Sequence, residues 1–204
     1  MTASGIDGLI LAGGRSSRMG GGAKAAEPFL GKPLLEHVIE RFGPQVERLY
    51  LNANGDTHWL AGYSLPVIGD AVADYPGPLA GLHAFFCHRD GVAENREKVA
   101  LVPCDGPFVP LDLVAVLAAA MNKHRADVAC VRYDGEWQPT FSLWHRRTAT
   151  AVADQLLSEK HGGFRPLLAK LRTSAVDWPP SGVNPFFNIN TPEDLRRARQ
   201  GSEA

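Results

Sequence analysis

The most chemically informative stretch of the sequence is a glycine-rich segment near the start of the chain. It follows an apolar run over residues 6–10 that predicts a buried strand. Five glycines, two serines and the cations Arg15, Arg18 and Lys24 then occur between residues 11 and 24. Glycines let backbone N–H groups approach an anion closely, and the cations add charge-assisted contacts. This segment therefore predicts a phosphate-binding loop.

The spacing of this loop differs from two common phosphate motifs. A Walker loop needs Gly-Lys followed by Ser or Thr, whereas Lys24 stands between Ala23 and Ala25. The glycine spacing also differs from the dinucleotide fingerprint. The alternative is a flexible glycine-rich loop whose charges are solvated. Other residues of the chain are therefore needed to infer the function.

Asp105 is the sharpest candidate for a metal-binding carboxylate. It ends the apolar run over residues 99–104, which places it at the mouth of a predicted central strand. Magnesium is commonly held by one or two carboxylates together with substrate phosphates. The alternative is that Asp105 caps the turn at Gly106. Cys104 beside it is expected to be a packing residue, since no basic partner is apparent.

Asn188 and Asn190 form a second polar pair. They follow residues 185–187, which we interpret as a short apolar strand, and strand alternation would place both amides on one side of the chain. Amide oxygens can bind a metal or orient phosphate. Alternatively, Asn190 forms an Asx turn just before a helix that Thr191 caps.

The bulk composition excludes several classes of protein. A net charge of −1 over 204 residues provides no basic excess for binding nucleic acid. Three cysteines without paired spacing are typical of the reducing cytoplasm. Residues 1–20 contain no hydrophobic segment flanked like that of a signal peptide, and no apolar run approaches membrane-spanning length. We expect a cytoplasmic monomer that binds neither nucleic acid nor membrane.

The apolar pattern predicts alternating strands and helices. Further strands are predicted at 46–51, 65–68 and 99–102, and helices at 33–42, 79–88 and 111–122. This rhythm favours an α/β fold with a mostly parallel sheet and helices on both faces. Ligands bind at the carboxyl ends of such strands. The residues predicted at those ends are Gly13, Asn52, Asp70 and Asp105.

The pattern changes beyond about residue 125. Strands at 127–133 and 138–144 predict a hairpin around Asp134 and Gly135. Helices follow at 147–158 and 163–171, and Thr191 opens a final helix. We expect one domain over residues 1–204 with an inserted hairpin region.

Taken in order, these segments resemble the molybdenum cofactor guanylyltransferase family. Residues 11–14, 18–20, 24 and 31–33 resemble the signature of Rossmann-like nucleotidyltransferases in general. The more specific resemblance lies in residues 52–54, 74–81, 103–105 and 188–194.

The resemblance implies a Rossmann-like nucleotidyltransferase fold and a defined reaction. GMP would pass from GTP to the phosphate of molybdenum-bound molybdopterin, with release of pyrophosphate and Mg²⁺ as the cofactor. It also implies transient contacts with cofactor-insertion and chaperone proteins. Residues 5–125 would form a nucleotide-binding half and residues 126–200 an acceptor-binding half.

The resemblance also implies roles for individual residues. The nucleotide would be bound by Leu11, Ala12, Gly13, Lys24, Asn52, Asp70 and Asp105. Arg18, Lys24 and Asp105 would be catalytic, and Asp105 would also bind Mg²⁺. Asn188 and Asn190 would lie on the acceptor side. No strong general base is needed, because an acceptor phosphate is already largely ionised near neutral pH.

Two positions depart from the family pattern. Ala23 stands where an aspartate is usual, and Gly106 stands where a larger residue is common. The alternative functions are a cytidylyltransferase for the same cofactor, a sugar-phosphate nucleotidyltransferase, and a non-catalytic chaperone that binds the nucleotide or the cofactor.

Overall fold

The computed structural model describes residues 5–13, 24–72, 77–88, 96–159, 162–180 and 182–202. Its strands are β1 (Ile6–Leu11), β2 (Pro28–Phe29), β3 (Lys32–Pro33), β4 (Arg48–Asn52), β5 (Val67–Ile68), β6 (Lys98–Pro103), β7 (Val128–Tyr133), β8 (Glu136–His145) and β9 (Thr173–Trp178). Its α-helices are α1 (Leu34–Phe42), α2 (Pro78–Cys87), α3 (Leu113–His124), α4 (Ala149–Ala153), α5 (Arg165–Lys170) and α6 (Pro192–Ser202).

Seven of these strands form one sheet in the order β5-β4-β1-β6-β8-β7-β9. Strands β5, β4, β1 and β6 are parallel, and β9 is parallel to β7. Strand β8 is antiparallel to both of its neighbours, because it returns from the hairpin and inserts beside β6. The mostly parallel α/β sheet that the sequence predicts is therefore confirmed.

Two apolar clusters pack on opposite faces of this sheet. Consecutive side chains of a strand point to opposite faces, and every residue of β1 is buried, so both faces of the sheet are covered at this strand. Ile10 packs with α1 and α3, whereas Leu9 and Leu11 pack with α2, α4 and α5. Helices therefore cover both faces of the sheet.

Several predicted boundaries shift in the structure. Pro33 precedes α1 as its N-cap rather than serving as its first helical residue. The helix predicted at 147–158 is divided into a 3₁₀ turn, Arg146–Thr148, the short α4, and a π-helical turn, Asp154–Ser158. Strand β9 is not among the strands predicted from the sequence.

The strand predicted at 185–187 is wrong, because this segment forms a turn. The backbone N–H groups of Phe186 and Phe187 donate to the side chain and carbonyl of Asn184, at 2.9 and 3.2 Å. Pro185 has no N–H group for a strand ladder, which favours the turn. The apolar character reflects burial of Phe186, which contacts the rings of Phe141 and Trp178 edge-on.

The register of the parallel strands aligns their carboxyl ends. Leu11, the last residue of β1, is opposite Asn52 and Pro103, the last residues of its two neighbours. Beyond the ladder, the Ala12 N–H donates to the Asn52 carbonyl at 2.8 Å, and the Cys104 N–H donates to the Leu11 carbonyl at 3.1 Å. The segments after these three strands therefore meet at one edge.

In the part of the chain that the structure describes, no helix combines the length and the apolar character needed to cross a lipid bilayer.

Candidate active site

A charged contact joins three distant parts of the chain at this edge of the sheet. Lys24 lies in a 3₁₀ turn, Lys24–Ala26, and Asp105 lies just beyond β6. The Lys24 ammonium donates to the Asp105 carboxylate and, at 2.5 Å, to the amide oxygen of Asn190. The Asp105 carbonyl accepts from the Ile189 N–H at 2.9 Å, which brings the asparagine segment against the carboxylate.

Two buried oxygens beside this contact have no hydrogen-bond donor among the described residues. They are Oδ1 of Asp105 and Oδ1 of Asn188. Buried polar atoms are almost always paired, so these two acceptors are candidates for binding a ligand. A carboxylate and an amide oxygen fit a hard divalent cation. The described residues contain no group of three His, Cys, Asp or Glu side chains that could hold a metal alone.

Close packing explains why a glycine, Gly106, follows Asp105. A Cβ atom at Gly106 would lie 2.8 Å from Cζ of Phe141 and 3.3 Å from Oδ1 of Asn188. Such distances are too short for a side chain, since the Phe141 ring is fully buried. The Phe141 ring therefore requires a glycine at position 106.

An amide–carboxylate cluster lies at the ends of the adjoining strands β4 and β5. The buried Asn52 donates through Nδ2 to the Ile68 carbonyl at 3.1 Å and to Oδ1 of Asp70 at 2.9 Å. Asn54 donates to Oδ2 of Asp70 at 2.7 Å, and the Asp70 N–H donates back to Oδ1 of Asn54 at 2.7 Å. Both oxygens of Asp70 thus accept from side-chain amides.

Two glycines lie against the Asn52 amide. A Cβ atom at Gly81, on α2, would lie 2.3 Å from Oδ1 of Asn52 and 2.8 Å from Cδ2 of Leu11. A Cβ atom at Gly13 would lie 3.3 Å from the same oxygen and 3.2 Å from Nδ2 of Asn54. These glycines allow the backbone just beyond β1 and the first turns of α2 to approach the amide cluster closely.

Cys104 is unsuited to nucleophilic chemistry. Burial raises the pKa of its thiol well above the usual range, and the neighbouring Asp105 carboxylate raises it further. The side chain is therefore a thiol near neutral pH and packs in the core, as the sequence analysis expects.

The structure brings most of the predicted site residues to one edge. Lys24, Asp105, Asn188 and Asn190 form one group, and Leu11, Ala12, Gly13, Asn52 and Asp70 lie at the ends of the adjoining strands. Arg18, Ala23 and residues 74–76 lie outside the described residues.

Asn54 and Gly81 lie in segments 52–54 and 74–81, which carry the family resemblance, but neither is among the site residues predicted from the sequence. The signal for Asn54 is its spacing of two from Asn52, since a two-residue spacing in extended backbone places side chains on the same side. Gly81 gives no such signal, because a glycine inside a predicted helix reveals its neighbour only in three dimensions.

Comparisons with known proteins point to one family. Residues 8–175 match the family model described as the MobA-like NTP transferase domain. A relative from Bradyrhizobium sp. (strain ORS 278), named molybdenum cofactor guanylyltransferase, is 41% identical over 202 residues, which cover 98% of this chain and 94% of that protein.

Solved structures show the same fold. A molybdopterin-guanine dinucleotide biosynthesis protein A from Archaeoglobus fulgidus matches with a TM-score of 0.79 at 22% identity, covering 97% of this chain and 98% of that one. A Mycobacterium tuberculosis H37Rv protein, described as a complex with manganese, matches with a TM-score of 0.65 at 17% identity, covering 96% and 98%. At these identities, the likeness concerns the fold alone.

Proposed function

The chain belongs to the MobA-like NTP transferase family, and we propose that it transfers GMP from GTP to the phosphate of molybdenum-bound molybdopterin. The products are pyrophosphate and a guanine dinucleotide form of the cofactor. The observation that carries this proposal is the meeting of Lys24, Asp105 and the asparagine segment at the carboxyl edge of the parallel strands. This is where α/β sheets bind their ligands.

The reaction requires positioning and neutralisation of charge more than proton transfer. An oxygen of the acceptor phosphate attacks the α-phosphorus of GTP, a new P–O–P bond forms, and the bond to the departing pyrophosphate breaks. The attacking oxygen already carries negative charge, so the chain need not supply a strong base. In this proposal, Lys24 and Arg18 neutralise the triphosphate, and the backbone of residues 11–13 binds it.

The orphaned oxygens of Asp105 and Asn188 fit a divalent cation, and we propose Mg²⁺. These two residues would hold the ion, and substrate phosphates would complete its ligand set. When bound, the ion supplies positive charge that offsets the charge of the triphosphate. Asn190, whose amide oxygen accepts from Lys24, would lie on the acceptor side.

In the proposed nucleotide site, Asn52 and Asp70 bind the nucleoside end of GTP. Their fixed amide–carboxylate contact presents the Asn52 oxygen toward Gly13 and Gly81. The name of the Bradyrhizobium relative favours guanine over cytosine as the base.

The base that is transferred tests the proposal. The protein is incubated with a magnesium salt, the molybdenum-bound molybdopterin acceptor, and GTP, CTP or ATP in separate reactions. The nucleotide joined to the pterin is then identified by mass spectrometry, with reactions lacking the acceptor as controls. We expect GMP incorporation alone. Incorporation of CMP alone identifies the cytidylyltransferase, and binding of GTP without transfer identifies a chaperone.

We further propose that the protein acts in the cytoplasm as a monomer that meets insertion and chaperone proteins transiently. Cys87, Cys104 and Cys130 are free thiols, which suits a reducing compartment. Light scattering at micromolar concentration gives the oligomeric state, and a dimeric mass contradicts the monomer.

A further inference from the structure

We infer that Asn54 is a positioning residue, which holds Asp70 and thereby fixes the orientation of the Asn52 amide in the nucleotide site. This inference rests on the proposed function, because it assumes that Asn52 and Asp70 face a bound nucleotide. None of the roles assigned above includes Asn54.

The contact between Asn54 and Asp70 is reciprocal. The Asn54 amide group donates to the Asp70 carboxylate, and the Asn54 oxygen accepts from the Asp70 backbone N–H, both at 2.7 Å. A pair of such bonds fixes both the position of the backbone and the rotation of the carboxylate. A single hydrogen bond would leave the carboxylate free to rotate.

The segment that carries Asp70 has few other constraints. Strand β5 is two residues long and lies at the edge of the sheet, where β4 is its one neighbouring strand and Ile68 packs in the apolar cluster on that face. Asp70 follows that strand by two residues. The side chain of Asn54, beyond the end of β4, therefore continues the contact between these two segments past the last strand pair.

The orientation of the Asn52 amide depends on this arrangement. Its Nδ2 group donates to Oδ1 of Asp70 and to the Ile68 carbonyl, so its oxygen must face the opposite way. That oxygen faces Gly81, which is buried on α2, and Gly13, just beyond the end of β1. If Asp70 rotates, one of the two acceptors that define this orientation is lost, and the amide can present its donor instead of its acceptor.

Asn54 itself is exposed, and it contacts its partner at the rim of the protein. Truncating it removes no buried apolar group, so global stability should change little. The loss falls instead on nucleotide affinity. We expect Asn54→Ala to weaken GTP binding roughly tenfold, about what the loss of one to two hydrogen bonds gives.

A double-mutant cycle on GTP binding, measured by calorimetry without acceptor, tests the inference. The variants are Asn54→Ala, Asp70→Ala and the double variant, and the matched control is Asn122→Ala at the end of α3. Asn122 is exposed and also accepts a side-chain hydrogen bond, from Lys98 at 3.3 Å. Circular dichroism and thermal unfolding establish that each variant is folded.

If Asn54 acts through Asp70, then Asn54→Ala has no further effect in the Asp70→Ala background. The turnover number at saturating GTP should stay within about twofold of the unaltered protein, while KM for GTP rises with the dissociation constant. Fully additive losses, or a change below about twofold in Asn54→Ala, overturn the inference. Failure of the unaltered protein to bind GTP contradicts the proposed function instead.

Discussion

Lys24 and Asp105, which are 81 residues apart in the chain, form an ion pair in which the two carboxylate oxygens differ. Oδ2 accepts from the Lys24 ammonium, whereas Oδ1 is buried without a donor among the described residues. In the proposed site, one oxygen of Asp105 contacts a cation of the protein and the other is left to bind Mg²⁺.

Replacing Lys24 by methionine should strengthen metal binding in the absence of nucleotide. The ammonium beside Asp105 repels a divalent cation, and its removal should raise the affinity for Mn²⁺ several-fold at this largely buried position. Affinity for GTP should fall, because the triphosphate loses a cation. Titration of Mn²⁺ followed by electron paramagnetic resonance measures the first effect. Weaker Mn²⁺ binding would mean that Lys24 instead holds Asp105 in place for the metal.

Lys123→Met is the matched control for that experiment. Lys123 is exposed in the last turn of α3 and has no contact with Asp105 among those described. The change in net charge is the same as for Lys24→Met. An equal effect in both variants would show that Mn²⁺ responds to the overall charge of the protein.

Asp105→Asn should abolish most of the turnover while leaving the protein folded. The substitution keeps the shape of the side chain but removes the charge that neutralises both Lys24 and a bound cation. We expect a loss of roughly 100-fold or more in pyrophosphate release, the scale of removing one electrostatic group that stabilises the transition state in an enzyme active site. Asp112→Asn, at an exposed position before α3, is the control. Undiminished pyrophosphate release would contradict the metal-site assignment.

The sequence predicts the fold well where one physical rule dominates. The alternation of apolar segments predicts the parallel strands, and Asp134 and Gly135 predict the hairpin, in which both have positive φ. The turn at 185–187 was missed because the same apolar residues serve a strand or a buried turn. The contact of Lys24 with Asn190 joins residues 166 positions apart, and only the assembled sheet brings them together.

Some residues of the candidate site can likewise be predicted from the sequence, whereas others depend on packing. Residue types and their places after strands suffice to predict Asn52, Asp70 and Asp105 at the carboxyl edge. The need for Gly81 and Gly106 comes from the neighbours that would meet a Cβ atom, Asn52 and Phe141. Such steric requirements depend on packing distances that no local pattern contains.

Gly81→Ala should weaken GTP binding and lower stability. A Cβ atom there would lie 2.3 Å from Oδ1 of Asn52, so the amide or the helix must move. We expect a destabilisation of about 1–3 kcal/mol, the usual cost of overpacking. The same substitution at Gly62, where a Cβ atom meets nothing within 4 Å, is the control. Unchanged GTP affinity and unfolding temperature in Gly81→Ala would contradict the packing argument.

Asp127 should contribute to stability near neutral pH and lose that contribution in acid. Hydrogen bonds from Arg172, and then from Arg147, lower the pKa of its carboxyl to about 2. Because the pKa in the folded state lies below that in the unfolded chain, the contribution is complete above about pH 4 and is lost as the pH falls toward 2.

Asp127→Asn tests this dependence. Both arginines are exposed, so we expect the substitution to cost only about 1 kcal/mol at neutral pH. The difference from the unaltered protein should shrink as the pH falls below about 4. Urea unfolding across this pH range measures it. A difference that is constant with pH would mean that the loss comes from packing and not from the charge.

Leu30→Asn should stabilise the β2–β3 hairpin. Leu30 and Gly31 form its turn with φ of 45° and 86°, and a leucine is strained in this left-handed region. Asn-Gly is the favoured pair for such turns, and the Leu30 side chain is 49% exposed, so the exchange sacrifices little burial. We expect a gain of about 0.5–1 kcal/mol, or an unfolding temperature higher by roughly 1–4 °C, in scanning calorimetry.

Gly31→Ala should have the opposite effect, since a Cβ atom there meets no neighbour and only its backbone conformation is strained. A lower unfolding temperature in Leu30→Asn would show that apolar contacts of the leucine outweigh its backbone strain.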